Sequence, residues 1–146
     1  GAHQMAPREG IRFDDLGGEK GYQAWTAYGQ SKLANLLFAK ELARRLAGTK
    51  KCANAVHPGV IRTNLGRHMN PVVQALLGLA GPLVLKSVEQ GAATQVYAAL
   101  HPAVPGVSGA YLADCNLARC RPDADDPALA ARLWEVTEEI VDRLPA

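Results

Sequence analysis

Tyr28 and Lys32 are the two side chains of this sequence best suited to moving a proton. They lie four residues apart near the start of a helical pattern, which puts them on one helix face, roughly 6 Å apart along the axis. A free tyrosine titrates at about 10 and is a poor base until a nearby positive charge lowers its pKa. The pair can therefore act in acid–base chemistry, although an amphipathic helix can also carry this spacing by chance.

The element that carries the pair is a helix that we predict from Thr26 to Ala47. Thr26 is a suitable N-cap, and Gly48 is a suitable residue just beyond the last turn. Five leucines recur at helical spacing and predict one broad apolar face: Leu33, Leu36, Leu37, Leu42 and Leu46. We expect this face to pack on the core of an α/β fold.

A short apolar run over residues 52–57 follows the helix and stops at Pro58-Gly59. After a helix and a short loop, such a run predicts a buried strand of a parallel sheet. Ligands of open α/β sheets bind beyond the carboxyl ends of the strands, which is where Pro58-Gly59 would lie. Taken alone, however, Pro58-Gly59 could simply end the strand, and Thr63 could simply cap the next turn.

The rest of the chain predicts more helices and one more strand. Helices are expected over residues 70–77, 87–100 and 126–143, the second opened by a capping box, and a strand is expected over 109–114. Residues 1–25 predict mostly loop. This order predicts an α/β fold with helices covering a parallel sheet, and because two strands are too few for such a sheet, we expect part of a domain.

Composition excludes several classes of protein. The 146 residues carry a formal net charge of +2, which is too small to favour nucleic acid or an anionic membrane. The three cysteines form no Cys-x-x-Cys and no zinc spacing, so we expect free thiols in a reducing compartment and no metal site. Residues 1–10 have no signal-peptide core, and the apolar run 71–85 is too short and broken to span a bilayer. We therefore expect a cytoplasmic protein with no membrane segment in this chain.

Two segments, residues 27–46 and residues 54–63, closely resemble the short-chain dehydrogenase/reductase family in sequence, order and spacing. More narrowly, they resemble the retinol-dehydrogenase-like branch, which includes the WW-domain oxidoreductase. Residues 11–16, 87–94 and 109–115 resemble the same branch, so the resemblance covers essentially the whole chain. It implies the C-terminal portion of a Rossmann-like doubly wound parallel sheet.

The resemblance also implies an oxidoreductase that uses NAD or NADP to interconvert an alcohol and a carbonyl, and the branch favours NADP. Tyr28 would be the proton donor and acceptor for the small-molecule substrate. Lys32 would lower the pKa of Tyr28 and bind the nicotinamide ribose. Both residues would therefore serve catalysis and cofactor binding.

Four further residues would form the nicotinamide pocket in this resemblance. Pro58 and Gly59 would let the backbone approach the ring, the main chain of Val60 would meet the carboxamide, and the Thr63 hydroxyl would bind near the carboxamide or pyrophosphate. Residues 71–85 resemble the substrate side of the family, where an apolar lid would suit a lipophilic alcohol or aldehyde. An ordinary core helix and loop would explain that segment equally well.

Two parts that the resemblance implies are absent from this sequence. The family's Gly-x-x-x-Gly-x-Gly loop would present N–H groups to the pyrophosphate, but Gly17 and Gly21 only begin the spacing. The catalytic serine precedes the tyrosine, yet residues 1–27 contain no serine, and Ala2-His3 resembles the pair that follows that serine. We therefore expect residues 1–146 to be the C-terminal catalytic half of the domain, without its dinucleotide-binding half and inactive alone.

Two hypotheses about function stay open from the sequence. The first is the oxidoreductase, present as its catalytic half; the alternative is a non-catalytic fragment or pseudoenzyme that acts as an interaction or assembly module. A half-domain exposes sheet edges and apolar helix faces, so a homo-oligomer is possible in either case. His3 and His57 are expected to be polar surface or loop residues rather than bases.

Overall fold

The computed structural model describes residues 1–61 and 85–145. Its α-helices in this part of the chain are α1 (Ala24–Arg45), α2 (Val88–Leu100) and α3 (Pro127–Asp142). Its strands are β1 (Ala55–His57), β2 (Tyr111–Ala113) and β3 (Asn116–Leu117), and two short 3-10 helices span Ala2–Met5 and Pro122–Asp125. The predicted α/β class is confirmed, while the predicted helix over 70–77 lies outside the described residues.

The described sheet has the order β1-β2-β3 and is mixed, so the predicted wholly parallel sheet was wrong. β1 runs parallel to β2, with His57 opposite Ala113, and β2 pairs antiparallel with β3. The turn between β2 and β3 places Asp114 and Cys115 at φ values of 52° and 57°, the left-handed backbone that tight hairpins require. β3 was missed because this turn contains neither glycine nor asparagine.

Helix α1 begins at Ala24, two residues before the expected start at Thr26. The N-cap position belongs to Gln23, and the Thr26 hydroxyl donates to the Gln23 side chain at 3.1 Å instead of capping the helix. The helix ends at Arg45, and Gly48 follows with a φ of +81°. The predicted helix is therefore confirmed, with each boundary shifted by two residues.

The apolar face of α1 supplies the centre of the core, as its spacing predicts. Leu33 and Leu37 are fully buried where α1 packs against α3 and the sheet. Burial of each such side chain contributes about 1.5–3 kcal/mol. The rest of the buried cluster comes from the other elements: Ile11, Leu36, Tyr111, Ala124, Ala130 and Leu133.

The first residues, predicted as loop, form a 3-10 helix that packs against α1. Gly29 of α1 is the contact point, because a Cβ built on it would lie 2.4 Å from both Met5 C and Ala6 N. No side chain fits at position 29 unless the backbone moves. The N-terminal segment is thus packed directly on the helix turn that follows Tyr28.

Arg121 also holds the N-terminal segment in place. Its guanidinium donates to the carbonyls of Ala6 at 3.1 Å and Pro7 at 2.9 Å, and it pairs with Asp123 at 2.6 Å. His3 lies inside this arrangement with 3% of its surface exposed, so the expectation of a surface position for His3 was wrong. His3 is buried because Arg121, which is distant in the sequence, bonds to the main chain of this segment. No local sequence pattern indicates such a contact.

The predicted capping box of α2 and the predicted start of α3 at residue 126 are confirmed. Ser87 and Gln90 form a reciprocal capping box, and the Asp126 carboxylate accepts from Ala128 N at 2.9 Å, ahead of Pro127. These local hydrogen bonds satisfy amides that the first helical turn leaves without partners. Among the helices in the described part of the chain, none is long and apolar enough to cross a membrane.

Glu41 is a buried carboxylate on α1, with 1% of its surface exposed. It accepts from Arg44 at 2.7 and 2.8 Å and from Arg45 at 2.8 Å, and the Arg44 hydrogen bonds lower the pKa of Glu41 from 4.5 to about 2. Since the folded pKa is depressed, the stabilisation is fully present above about pH 4.5. It is lost as the pH falls toward about 2.

We therefore expect Glu41→Gln to lower the free energy of unfolding by about 1–2 kcal/mol at pH 7. The difference from the unsubstituted chain should shrink as the pH falls from 4.5 to 2.5, because the carboxylate is then progressively protonated. Urea unfolding across this range measures both effects, with the exposed Glu138→Gln as the control. A penalty that does not change with pH would contradict the ionic origin of the stabilisation.

Candidate active site

An open groove of about 710 Å³ runs between α1 and β1 and collects four of the six predicted site residues. Tyr28 and Lys32 line it from the helix, and Pro58 and Gly59 line it from the turn after β1. Side chains that recur every three or four residues lie on one face of a helix, and this face of α1 forms one wall of the groove. The groove therefore opens at the carboxyl end of β1, as the sequence predicts.

Tyr28 and Lys32 lie on the same face of α1, with the Lys32 Nζ atom 5.3 Å from the centre of the Tyr28 ring. Tyr28 is 47% exposed, so its hydroxyl can meet a ligand in the groove. The next residue, Gly29, is held against the N-terminal segment, and Ser31 donates to the Tyr28 carbonyl at 2.7 Å. These contacts fix the helix backbone beneath the phenol and the ammonium group.

The turn after β1 has a backbone that favours glycine. Gly59 has a φ of +89°, and a Cβ on it would lie 2.7 Å from Lys86 Cδ. The Lys86 N–H donates to the Val60 carbonyl at 2.9 Å, and the Val60 side chain is 66% exposed. Pro58 and Gly59 line the groove, whereas Val60 is not among its lining residues. Thr63, the sixth predicted residue, lies outside the described residues.

Three rings that our sequence reasoning did not assign to the site form another wall of the groove. The ring centroid of Tyr111 lies 5.1 Å from that of His3, edge to face, and 6.2 Å from that of His57, stacked. Burial lowers the pKa of both histidines and raises the pKa of Tyr111, because it disfavours the charged form of each ring. The predicted strand over 109–114 contains Tyr111, so the sequence could have indicated this residue. No sequence pattern indicates that His3 lies beside it.

The arrangement can exchange a proton with an oxygen atom in the groove. Tyr28 supplies the exchangeable proton, Lys32 supplies a nearby positive charge, and the turn at Gly59 supplies an approachable main chain. No three His, Cys, Asp or Glu side chains in the described residues cluster as a metal site requires.

Known proteins are similar to this chain over most of its length. Retinol dehydrogenase 14 of Homo sapiens is 45% identical over 136 residues, which is 92% of this chain and 40% of the human protein. The short-chain dehydrogenase TIC 32 B, chloroplastic, of Brassica napus is 44% identical over 146 residues, 99% of this chain and 45% of that protein. The WW domain-containing oxidoreductase of Danio rerio is 41% identical over 123 residues, 84% of this chain and 30% of that protein.

A solved structure is similar as well. An uncharacterised protein from Mycobacterium paratuberculosis superimposes with a TM-score of 0.69 at 30% identity, covering 97% of this chain and 47% of that one. No family model matches the sequence. The chain spans less than half the length of each of these relatives.

Proposed function

From this relationship to the short-chain dehydrogenases and reductases, we propose that the chain is the catalytic portion of an NAD(P)-dependent oxidoreductase that interconverts an alcohol and a carbonyl. One observation carries the proposal: Tyr28 and Lys32 share a groove with the Pro58-Gly59 turn. The sequence separates these pairs by a whole helix. The two pairs lie together at the carboxyl end of a strand. A site that transfers a proton beside a bound nicotinamide ring requires this arrangement.

The groove fits the nicotinamide end of a dinucleotide. The Lys32 ammonium group would bind ribose hydroxyls, and the main chain at Val60 would bind the carboxamide, beside Gly59, which lines the groove. Thr63 would add a hydroxyl near the same group. When bound, the cofactor supplies or accepts the hydride. NADP stays the favoured cofactor by resemblance to the branch.

Tyr28 would move the proton that accompanies hydride transfer. In reduction its hydroxyl donates a proton to the carbonyl oxygen; in oxidation its oxygen accepts the proton of the alcohol. Lys32, 5.3 Å from the ring centre, keeps a positive charge beside the phenol while the proton moves. The half-exposed position of Tyr28 allows the substrate oxygen to reach it.

A chimera tests this function directly. The chain replaces the matching 136 residues of human retinol dehydrogenase 14, so that the rest of that protein supplies the missing length. We expect the chimera to oxidise NADPH when a lipophilic aldehyde is added, and the 146-residue chain alone to bind NADPH only weakly. Isothermal titration measures the binding. Micromolar binding by the chain alone would contradict the expectation that these residues lack the diphosphate site, and a folded chimera without turnover would contradict the proposed function.

The alternative function is an assembly module without catalysis. Within the described residues β1 is an edge strand, and large apolar side chains such as Trp25 and Phe38 are 64% and 48% exposed. Exposed edges and apolar faces favour association of copies. A clean monomer in light scattering would count against this role. A cytoplasmic location and a lipophilic substrate stay predictions, and residues 71–85 lie almost entirely outside the described part.

A further inference from the structure

Lys86 contacts the Pro58-Gly59-Val60 turn in two ways. Its main-chain N–H donates to the Val60 carbonyl at 2.9 Å, and residue 86 forms a parallel bridge with Ile61. Its side chain lies over Gly59, with Cδ, Cε and Nζ at 2.7, 2.9 and 3.1 Å from the position that a Cβ would take. The lysine stem therefore fills the space that the glycine leaves open on this side of the turn.

The end of the same side chain is held from a second strand. The Lys86 ammonium group forms an ion pair with Asp114, which follows β2 in the turn to β3. β1 and β2 are neighbouring parallel strands, so Lys86 joins the segments that follow their carboxyl ends. The Lys86 side chain is 29% exposed and Asp114 is 73% exposed, and the pairing lowers the pKa of the Asp114 carboxyl.

We propose that Lys86 is a positioning residue, which holds the Pro58-Gly59-Val60 main chain in place through its ion pair with Asp114 so that this main chain can bind a carboxamide. The proposal rests on the function proposed above. A turn at the end of a three-residue strand has few contacts of its own, and position 59 is a glycine with wide conformational freedom. The lysine supplies the missing restraint without placing its charge against the groove, whose lining does not include Lys86.

Hydrogen exchange of the 146-residue chain tests the restraint without any cofactor. The amide of residue 86 reports the bond to Val60, and we expect Lys86→Met and Asp114→Asn each to lower its protection factor about threefold or more. Lys86→Arg, which keeps the charge, should lower it less. Lys50→Met, an exposed lysine before β1, is the matched control. Unchanged protection in both test variants would overturn the proposal.

Binding by the chimera tests whether the restraint serves the cofactor. We compare the affinity for NADPH with that for its acetylpyridine analogue, in which an acetyl group replaces the carboxamide. Lys86→Met should bring the ratio of the two affinities closer to one, because it loosens only the contact with the carboxamide. Lys86→Arg should restore the ratio of the unsubstituted chimera. A loss of affinity that is equal for both ligands would overturn the positioning role.

The two proposals can fail separately. If the unsubstituted chimera folds but neither binds NADPH nor turns over, the proposed function fails, and the exchange result alone decides whether Lys86 restrains the turn. If the chimera is active and Lys86→Met leaves the ratio of affinities unchanged, the oxidoreductase stands and the role of Lys86 is wrong.

Discussion

Tyr28→Phe in the chimera with human retinol dehydrogenase 14 is expected to lower kcat for aldehyde reduction about a thousandfold. The substitution removes only the hydroxyl that would donate the proton, and general acid–base catalysis contributes about 10²–10⁴ in rate. The affinity for NADPH should fall far less than kcat, because Lys32 and the Pro58-Gly59 turn remain. Stopped-flow loss of NADPH absorbance with the aldehyde in excess measures the rate.

Tyr22→Phe is the matched control for this experiment. Tyr22 is 71% exposed, lies just before α1 and does not line the groove, so the same loss of a hydroxyl should leave kcat unchanged. The melting temperature of the Tyr28→Phe chimera should match that of the parent, since the half-exposed ring is retained. Undiminished turnover with phenylalanine at position 28 would exclude Tyr28 as the proton donor.

Gly29→Ala is expected to destabilise the 146-residue chain by at least about 2 kcal/mol. In an ordinary helix this change stabilises by about 1 kcal/mol, because alanine is the better helix former. Here the added Cβ would lie 2.4 Å from Met5 C and Ala6 N, so the N-terminal segment must move away from α1. Urea unfolding followed by circular dichroism gives the free energy of unfolding.

Ser31→Ala, two residues further along the same helix, controls for helix propensity. Ser31 is exposed, and among the described residues its hydroxyl bonds only to the Tyr28 carbonyl one turn back, so alanine there should be neutral or slightly stabilising. The N-terminal segment of Gly29→Ala should also become more sensitive to proteolysis near Met5. A stabilised Gly29→Ala would show that this segment does not pack on α1 in solution.

Local hydrogen-bonding patterns were predictable from the sequence, and distant contacts were not. The capping box at Ser87 and the Asp126-Pro127 helix start are complete within four residues, so the sequence alone indicates them. The left-handed turn at Asp114-Cys115 has no glycine or asparagine to mark it, which is why β3 was missed.

The same distinction holds for the candidate site. Tyr28 and Lys32 were expected on one helix face, because four residues nearly complete a turn. The burial of His3 and the contact between Lys86 and Gly59 depend on partners more than 20 residues away, which periodicity cannot supply. The catalytic roles themselves stay predictions until the substitutions are measured.

The bonds from Arg121 to the first residues also restrict when this chain can fold during its synthesis. Pro7 and Arg121 are separated by 114 positions. At about 5–20 residues per second, a ribosome adds Arg121 roughly 6–23 s after Pro7. Until then the carbonyls of the N-terminal segment can bond only to water or to other partners. The segment that packs beneath Tyr28 is therefore translated well before Arg121, and it reaches its final hydrogen bonding only after Arg121 has been added.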